Sequence, residues 1–177
     1  LETLGGGMGA RAHHDGKDGV QVHITNTSNL PVESIEMEYP LRVEEYALIP
    51  DSGGAGQYRG GMGIRRAIRP VDHTCEFNGG GERLKHQPWG IFGGQPGACG
   101  GFALRDSDPQ VTKLPAKASR IKVDPSMTAV IDTPGAGGYG NPEQRSAAAL
   151  QDDQTSGKFS AEYLRGSYPQ AADPEKG

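Results

Sequence analysis

The sequence predicts an α+β protein dominated by β-structure, a single unit of short strands and long Gly-rich loops closed by a short C-terminal helical tail. Three observations lead there. Short apolar runs alternate with polar residues at the period of two that a half-buried strand requires, as in Val20, Val22 and Ile24. Glycines gather in clusters at residues 5–9, 53–63, 79–81, 90–101 and 135–140, placed between those runs as turns between strands would be. Helix start signals are confined to the C-terminal end.

In chain order, the first strand runs through Val20, Val22 and Ile24, with Gln21, His23 and Thr25 on the opposite face. The acids Glu33, Glu36, Glu38, Glu44 and Glu45 around Pro40 read as a solvated face. Leu41 and Val43 begin a second strand, whose inward parity shifts to Tyr46 and Leu48, as a bulge permits. Further strands are expected at 64–68, 101–105, 121–123 and 127–132. Asn141 can then cap a helix, with Pro142 at its first position and Gln144 where a capping box places its amide. The alanine-rich stretch 146–151 supplies its body and Gly157 its stop, and a second short helix starts from a Ser160 cap and runs through Leu164. These signals divide the chain into a β-rich portion over 1–140, a helical tail over 141–168 and a polar, frayed end over 169–177.

Composition narrows the function classes. Only 34% of the 177 residues are hydrophobic, and 28 glycines with 13 prolines make the chain loop-rich without reaching the range of disordered sequences. The formal net charge of -4 comes from interspersed acids and bases with no basic stripe, so neither a nucleic acid nor a membrane surface is the expected partner. No apolar run approaches the roughly 20 residues of a bilayer span, and a cytoplasmic location is expected. Cys75 and Cys99, without CxxC spacing, read as two buried free thiols. The start at Leu1, directly into strand-like and Gly-rich sequence, suggests a piece of a larger subunit whose core a partner chain completes.

Several local patterns carry candidate chemistry. Residues 135–140 satisfy GxGxxG after an apolar strand, but no second strand with a ribose-binding acid follows, so a tight turn is the better reading than a dinucleotide site. No GxxxxGK[ST] loop is present. Gly5, Gly6, Gly7, Met8 and Gly9 let the backbone approach a ligand closely, and Arg11, His13, His14 and Asp15 follow at once. Such a loop suits an anion or small polar substrate, although local sequence alone favours a surface turn with solvated charges. Adjacent His13 and His14 would face opposite ways in a strand, a poor start for chelation, and no metal site is assigned within the chain. His23 and Asn26, at the end of the first strand, can border a pocket.

Taken together, Gly6-Gly7-Met8-Gly9-Ala10-Arg11, Asp15-Gly16, His23-Ile24-Thr25-Asn26-Thr27 and Leu30-Pro31-Val32-Glu33 resemble consecutive blocks of the hydantoinase B/5-oxoprolinase family. The blocks at Asp51-Ser52-Gly53-Gly54-Ala55-Gly56, Arg59-Gly60-Gly61-Met62-Gly63, Pro88-Trp89-Gly90, Gly93-Gly94-Gln95-Pro96-Gly97 and 133–140 follow in the same order. Each block alone is weak; the ordered set, reaching to about Tyr168, is specific.

The resemblance implies a two-component machine. An actin-like A component, carrying ATP with Mg, activates a small cyclic amide by phosphorylating its carbonyl oxygen, and the B component hydrolyses the activated species. A divalent metal is expected in the N-terminal portion of the B component, ahead of these residues, where it would supply an activated water. Gly6, Gly7, Met8, Gly9, Arg11 and Asp15 are then the substrate-binding candidates, with His23 and Asn26 behind them and Arg11 as a two-point donor to a carboxylate or phosphate. Two alternatives stay open: a portion of an ATP-dependent ketone carboxylase, which shares the scaffold, and a non-catalytic assembly module.

Overall fold

The computed structural model describes residues 1–23, 25, 27–106 and 111–171. It contains helices α1 (Val32–Glu38), α2 (Ala147–Thr155) and α3 (Ala161–Ser167), and strands β1 (Leu41–Leu48), β2 (Ile64–Pro70), β3 (Cys75–Gly80), β4 (Gly101–Arg105), β5 (Val111–Leu114), β6 (Lys117–Val123) and β7 (Thr128–Asp132). Five strands form an antiparallel sheet in the order β1-β2-β7-β4-β5, and β3 pairs with β6 in a separate ribbon. The fold is the β-rich α+β class that the sequence predicts.

The parity shift in β1 is a bulge. Val43 faces Ile68 and Glu45 faces Ala67, so Glu44 is the extra residue. A second irregularity, between Phe77 and Gly79, sits opposite Arg120, whose φ is 54°. The Asn78 side-chain oxygen accepts from the Arg120 backbone N–H at 2.9 Å there, satisfying a group the ladder leaves free.

The expected first strand does not form. Val20 makes only an isolated bridge to Gly6, because Gly19 (φ 52°) and His23 (φ 70°) turn the chain on either side of it. Ile24 and Asn26 lie outside the described residues. Helix α1 occupies part of the acidic stretch instead. It starts at Pro31 with no side-chain cap, buries Ile35 and leaves Glu33, Glu36 and Glu38 exposed.

The glycine clusters are for the most part not turns. Segments 5–10, 52–63, 88–101 and 133–140 pack backbone against backbone, with 133–140 at the centre; one turn interrupts 88–101, where Phe92 (φ 51°) and Gly93 (φ 93°) let the Gly94 N–H donate to the Ile91 carbonyl at 3.0 Å. Around that centre the hydrogen-bond partners change with every residue and recur every third. The carbonyls of Pro134 and Gly137 accept from Gly7 and Ala10, and the N–H groups of Gly135 and Gly138 donate to Ala98 and Gln95. The N–H groups of Ala136 and Tyr139 donate to Gly61 and Tyr58. Three neighbours addressed in rotation is the signature of a threefold, polyproline II-like helix, which has no internal hydrogen bonds and must find its partners outside itself.

That geometry explains the composition. A Cβ at Gly60 would collide with the Ala136 carbonyl, one at Gly135 with the Ser52 carbonyl, and one at Gly7 with the Gly61 carbonyl. The GxGxxG match at 135–140 is therefore a central rod of this bundle, correcting the tight-turn reading.

The helical tail covers one side of the bundle. Asn141 caps a 3-10 turn over Pro142–Gln144, and Ser146 supplies a fresh cap for α2, so the single helix expected there is divided. Gly157 (φ 67°) turns the chain out of α2 and Ser160 caps α3 as the sequence indicates. Leu150, Phe159, Leu164 and Tyr168 pack on Ala55 and Met62 of the bundle, forming the hydrophobic core cluster. Pro169–Ala171 form a 3-10 turn in which Gln170 donates to the carbonyls of Pro142 and Arg145; the rest of the expected frayed end, 172–177, lies outside the described residues.

Candidate functional site

Tail and bundle meet at a chain of alternating charges. Arg145 leaves the tail and grips the Asp15 carboxylate with both terminal nitrogens, at 2.8 and 2.9 Å, while its Nε donates to Asp153 at 2.8 Å. The other Asp153 oxygen accepts from Nε of Arg59 at 3.1 Å. Arg59 continues to Asp18 with two bonds, at 2.8 and 3.2 Å, and Lys158 closes the row on Asp18 at 3.1 Å. Three carboxylates thus face three cations. The side chains of Arg145 and Asp153 are each only 2% exposed, so the pairing is obligatory: either partner alone would be a desolvated charge.

The protonation states follow from this arrangement. Burial pushes the Asp15 carboxyl up, but the Arg145 fork and the Arg59 backbone N–H outweigh it and hold it below its ordinary value. Burial likewise opposes, and Arg59, the Met62 N–H and Lys158 outweigh it, at Asp18. Burial prevails at Asp153 and pushes its carboxyl up against the pull of Arg145 and Arg59. Burial also pushes the Tyr168 hydroxyl well up, and that group accepts from the Gly56 N–H at 3.4 Å.

The candidates read from sequence are not gathered in one place. Gly6, Gly7 and Met8 are rods of the bundle: Gly6 bridges Val20, Gly7 donates to Pro134, and Met8 exchanges bonds with Lys17 and Gly61. Asp15 belongs to the charge row, where its carboxylate accepts from both terminal nitrogens of Arg145 and from the Arg59 backbone N–H and so holds the loop. Gly9 and Arg11 stand exposed at the tip between them, where Arg11 and His14 exchange backbone hydrogen bonds and a Cβ at Gly9 would meet nothing within 4 Å. Among the described residues the Arg11 side chain has no hydrogen-bond or ion-pair partner. His23 is exposed on a separate turn, and Asn26 lies outside the described residues.

A second concavity separates the two sheets, a cleft of about 720 Å³. Ile68, Ala129, Ile131 and Phe102 of the large sheet form one wall, and the whole run from Cys75 to Glu82 forms the other. Glu2 reaches its edge and pairs at 2.7 Å with Arg66, a fully buried arginine that also donates to the Leu30 carbonyl and lies 4.0 Å over the Tyr46 ring. Cys75 and Cys99 are free and only partly buried, which amends the expectation of two buried thiols.

Comparison with known proteins agrees with the ordered blocks. The family model described as hydantoinase B/oxoprolinase matches residues 1–142. The chain belongs to the hydantoinase B/oxoprolinase family. It is 42% identical over 161 residues to an uncharacterized protein of Methanocaldococcus jannaschii, covering 90% of this chain and 28% of that one. It is 33% identical over 165 residues to the B-type subunit of a putative D-/L-hydantoinase from a Pseudomonas species, covering 92% and 27%. Its fold is shared with a chain of the nucleotide-free acetone carboxylase structure, at a TM-score of 0.77 and 22% identity, over 92% of this chain and 26% of that one. The chain thus spans little more than a quarter of the length of these three relatives.

Within this family member, a resident metal does not fit the residues described. Among them no group of three or more His, Cys, Asp or Glu side chains could hold a metal ion. Nor is any helix among them long and apolar enough to cross a membrane. The charge row is hidden from local sequence because its paired members lie far apart in the chain, 130 residues for Asp15 and Arg145 and more for Asp18 and Lys158. The usable signal is that Asp15 and Arg59 both fall inside family blocks; nothing local marks Arg145 or Asp153.

Proposed function

We propose that this chain is part of the B component of an ATP-dependent cyclic amide hydrolase of the hydantoinase/5-oxoprolinase type. What carries the reading is family membership over residues 1–142 together with the similarity to the B-type component of a hydantoinase. In this proposal an A-type partner holds ATP with Mg and phosphorylates the ring carbonyl, and the remainder of the B component holds the divalent metal. The metal would supply an activated water. This chain's own contribution is the rigid tip at Gly9 and Arg11, set on rods that a tail-to-loop ion pair locks in place. A guanidinium held there can take an anionic group of the activated substrate through two parallel hydrogen bonds.

A ketone carboxylase is the second reading, favoured by the shared fold with acetone carboxylase. The two separate on one assay of the purified complex. A hydrolase releases ADP and inorganic phosphate in proportion to the ring-opened product, glutamate from 5-oxoproline or an N-carbamoyl amino acid from hydantoin, when given ATP and the cyclic amide. ADP release that instead requires a ketone and bicarbonate, with a carboxylated product, overturns the proposal.

A further inference from the structure

We infer that the cleft between the two sheets receives an extended polypeptide segment of a longer hydantoinase B-type chain, which adds as a strand to the open edge of β3. This rests on family membership and not on the proposed amide hydrolysis.

The first support is the edge itself. Among the described residues β3 pairs with β6 alone, so its other side presents unpaired backbone N–H and C=O groups. Residues 75–82 border the cleft without interruption, whereas a strand offering only one face would contribute alternate residues. The cleft therefore runs along the backbone of β3. An exposed edge of this kind is matched by another strand, and a small molecule does not satisfy a ladder. At Gly80 a Cβ would meet nothing within 4 Å, which leaves room there for a second backbone to approach, whereas the Phe77, Phe102 and Leu84 side chains fill the space beside Gly79 and Gly81.

The second support is the chemistry of the walls. Leu41, Ile68, Ile131 and Phe102 are what the alternate side chains of an added strand would pack on. Every charged side chain lining the cleft is acidic: Glu2, Glu76, Glu82 and Asp132. Arg66 neutralises Glu2 and Arg65 neutralises Asp132, leaving Glu76 and Glu82, both on the β3 side, without a cation among the described residues. The occupant should therefore alternate apolar residues and carry a lysine or arginine opposite β3. The third support is length. The curated relatives devote nearly three quarters of their chains to sequence beyond what this one matches, and that remainder is the nearest source of such a strand.

The test uses the complete chain in its native complex. A photo-crosslinking amino acid is placed at Gly80, and in a second variant at exposed Glu82 in case the first fails to fold. After irradiation the linked peptides are identified by mass spectrometry. The expected result is a link within one polypeptide to a segment outside residues 1–177 that alternates apolar residues and carries a lysine or arginine. Adding Glu76→Lys should lower its yield by about tenfold, the scale of replacing an attractive rim pair by a repulsive one. Links only within residues 1–177, links only to a different polypeptide of the complex, a bound small molecule filling the cleft, or no link at all would overturn the inference. Because no step reads turnover, failure of the hydrolase proposal leaves this result standing.

Discussion

Asp15 and Arg145 form a two-point ion pair across 130 residues of sequence, tying the loop that follows the first glycine cluster to the start of the helical tail. Asp153 completes the clasp by bridging Arg145 to Arg59. The Gly-rich bundle has few side chains of its own to pack, so this clasp and the apolar contacts of Leu150, Phe159, Leu164 and Tyr168 fix the tail on it.

Removing the bridge should therefore be severe. Asp153→Ala leaves Nε of both Arg59 and Arg145 without an acceptor in a buried setting, and is expected to cost about 3–5 kcal/mol. Chemical denaturation of the native complex measures it, with limited proteolysis between residues 146 and 171 reporting release of the tail. Unchanged stability would mean that the clasp is incidental.

The acid limb of stability should belong to Asp15 and Asp18. Both carboxyls are held below their ordinary value of 3.8 in the folded state, so the unfolded chain takes up protons first as pH falls. Their contribution is fully present above the unfolded value and is lost as pH drops through the lower folded value. Asp153, pushed up by burial, works in the opposite sense. Thermal melts of the wild type should fall steeply below about pH 4, and Asp15→Asn should be less stable near neutrality yet show a shallower acid slope. An equal slope in the variant would contradict the assignment.

Glycine substitutions should divide sharply by position. Gly60→Ala and Gly135→Ala drive a Cβ into a neighbouring carbonyl and are expected to prevent the bundle from closing. Gly166→Ala, in α3 with nothing near its Cβ, should instead stabilise by roughly 0.5–1 kcal/mol. Soluble yield and melting temperature decide between these outcomes.

Much of the fold is legible where the determinants are local. The bulge in β1, the strand Gly101–Arg105, and the caps at Asn141 and Ser160 all follow from residues within a few positions of one another. Helix α1 is hidden because Pro31 offers no capping side chain, and β3 because Asn78, Gly79 and Gly80 are poor strand formers. The bundle looks like turns in the sequence because glycine permits both, and only hydrogen bonds between distant segments, such as Gly7 to Pro134, choose between them. The same holds at the site. Asp15 stands out in the sequence, yet its role depends on Arg145, which local sequence does not connect to it.

If the tip carries function, Arg11→Ala should separate activity from stability. Its guanidinium is exposed and has no partner among the described residues, so the melting temperature should stay within a degree or two, since surface substitutions rarely exceed about 0.5 kcal/mol. Amide-dependent ADP release by the complex should fall about tenfold or more, the scale of losing one charge-assisted contact in the reacting state. Wild-type turnover would remove Arg11 from the site.

The most direct test of the central claim is native mass spectrometry of the assembly that contains this chain, followed by identification of every polypeptide released. Membership in a B component predicts a complex with a second, ATP-binding polypeptide whose nucleotide is retained in the intact ion. An assembly holding only copies of this polypeptide, with no nucleotide-binding partner, would contradict it.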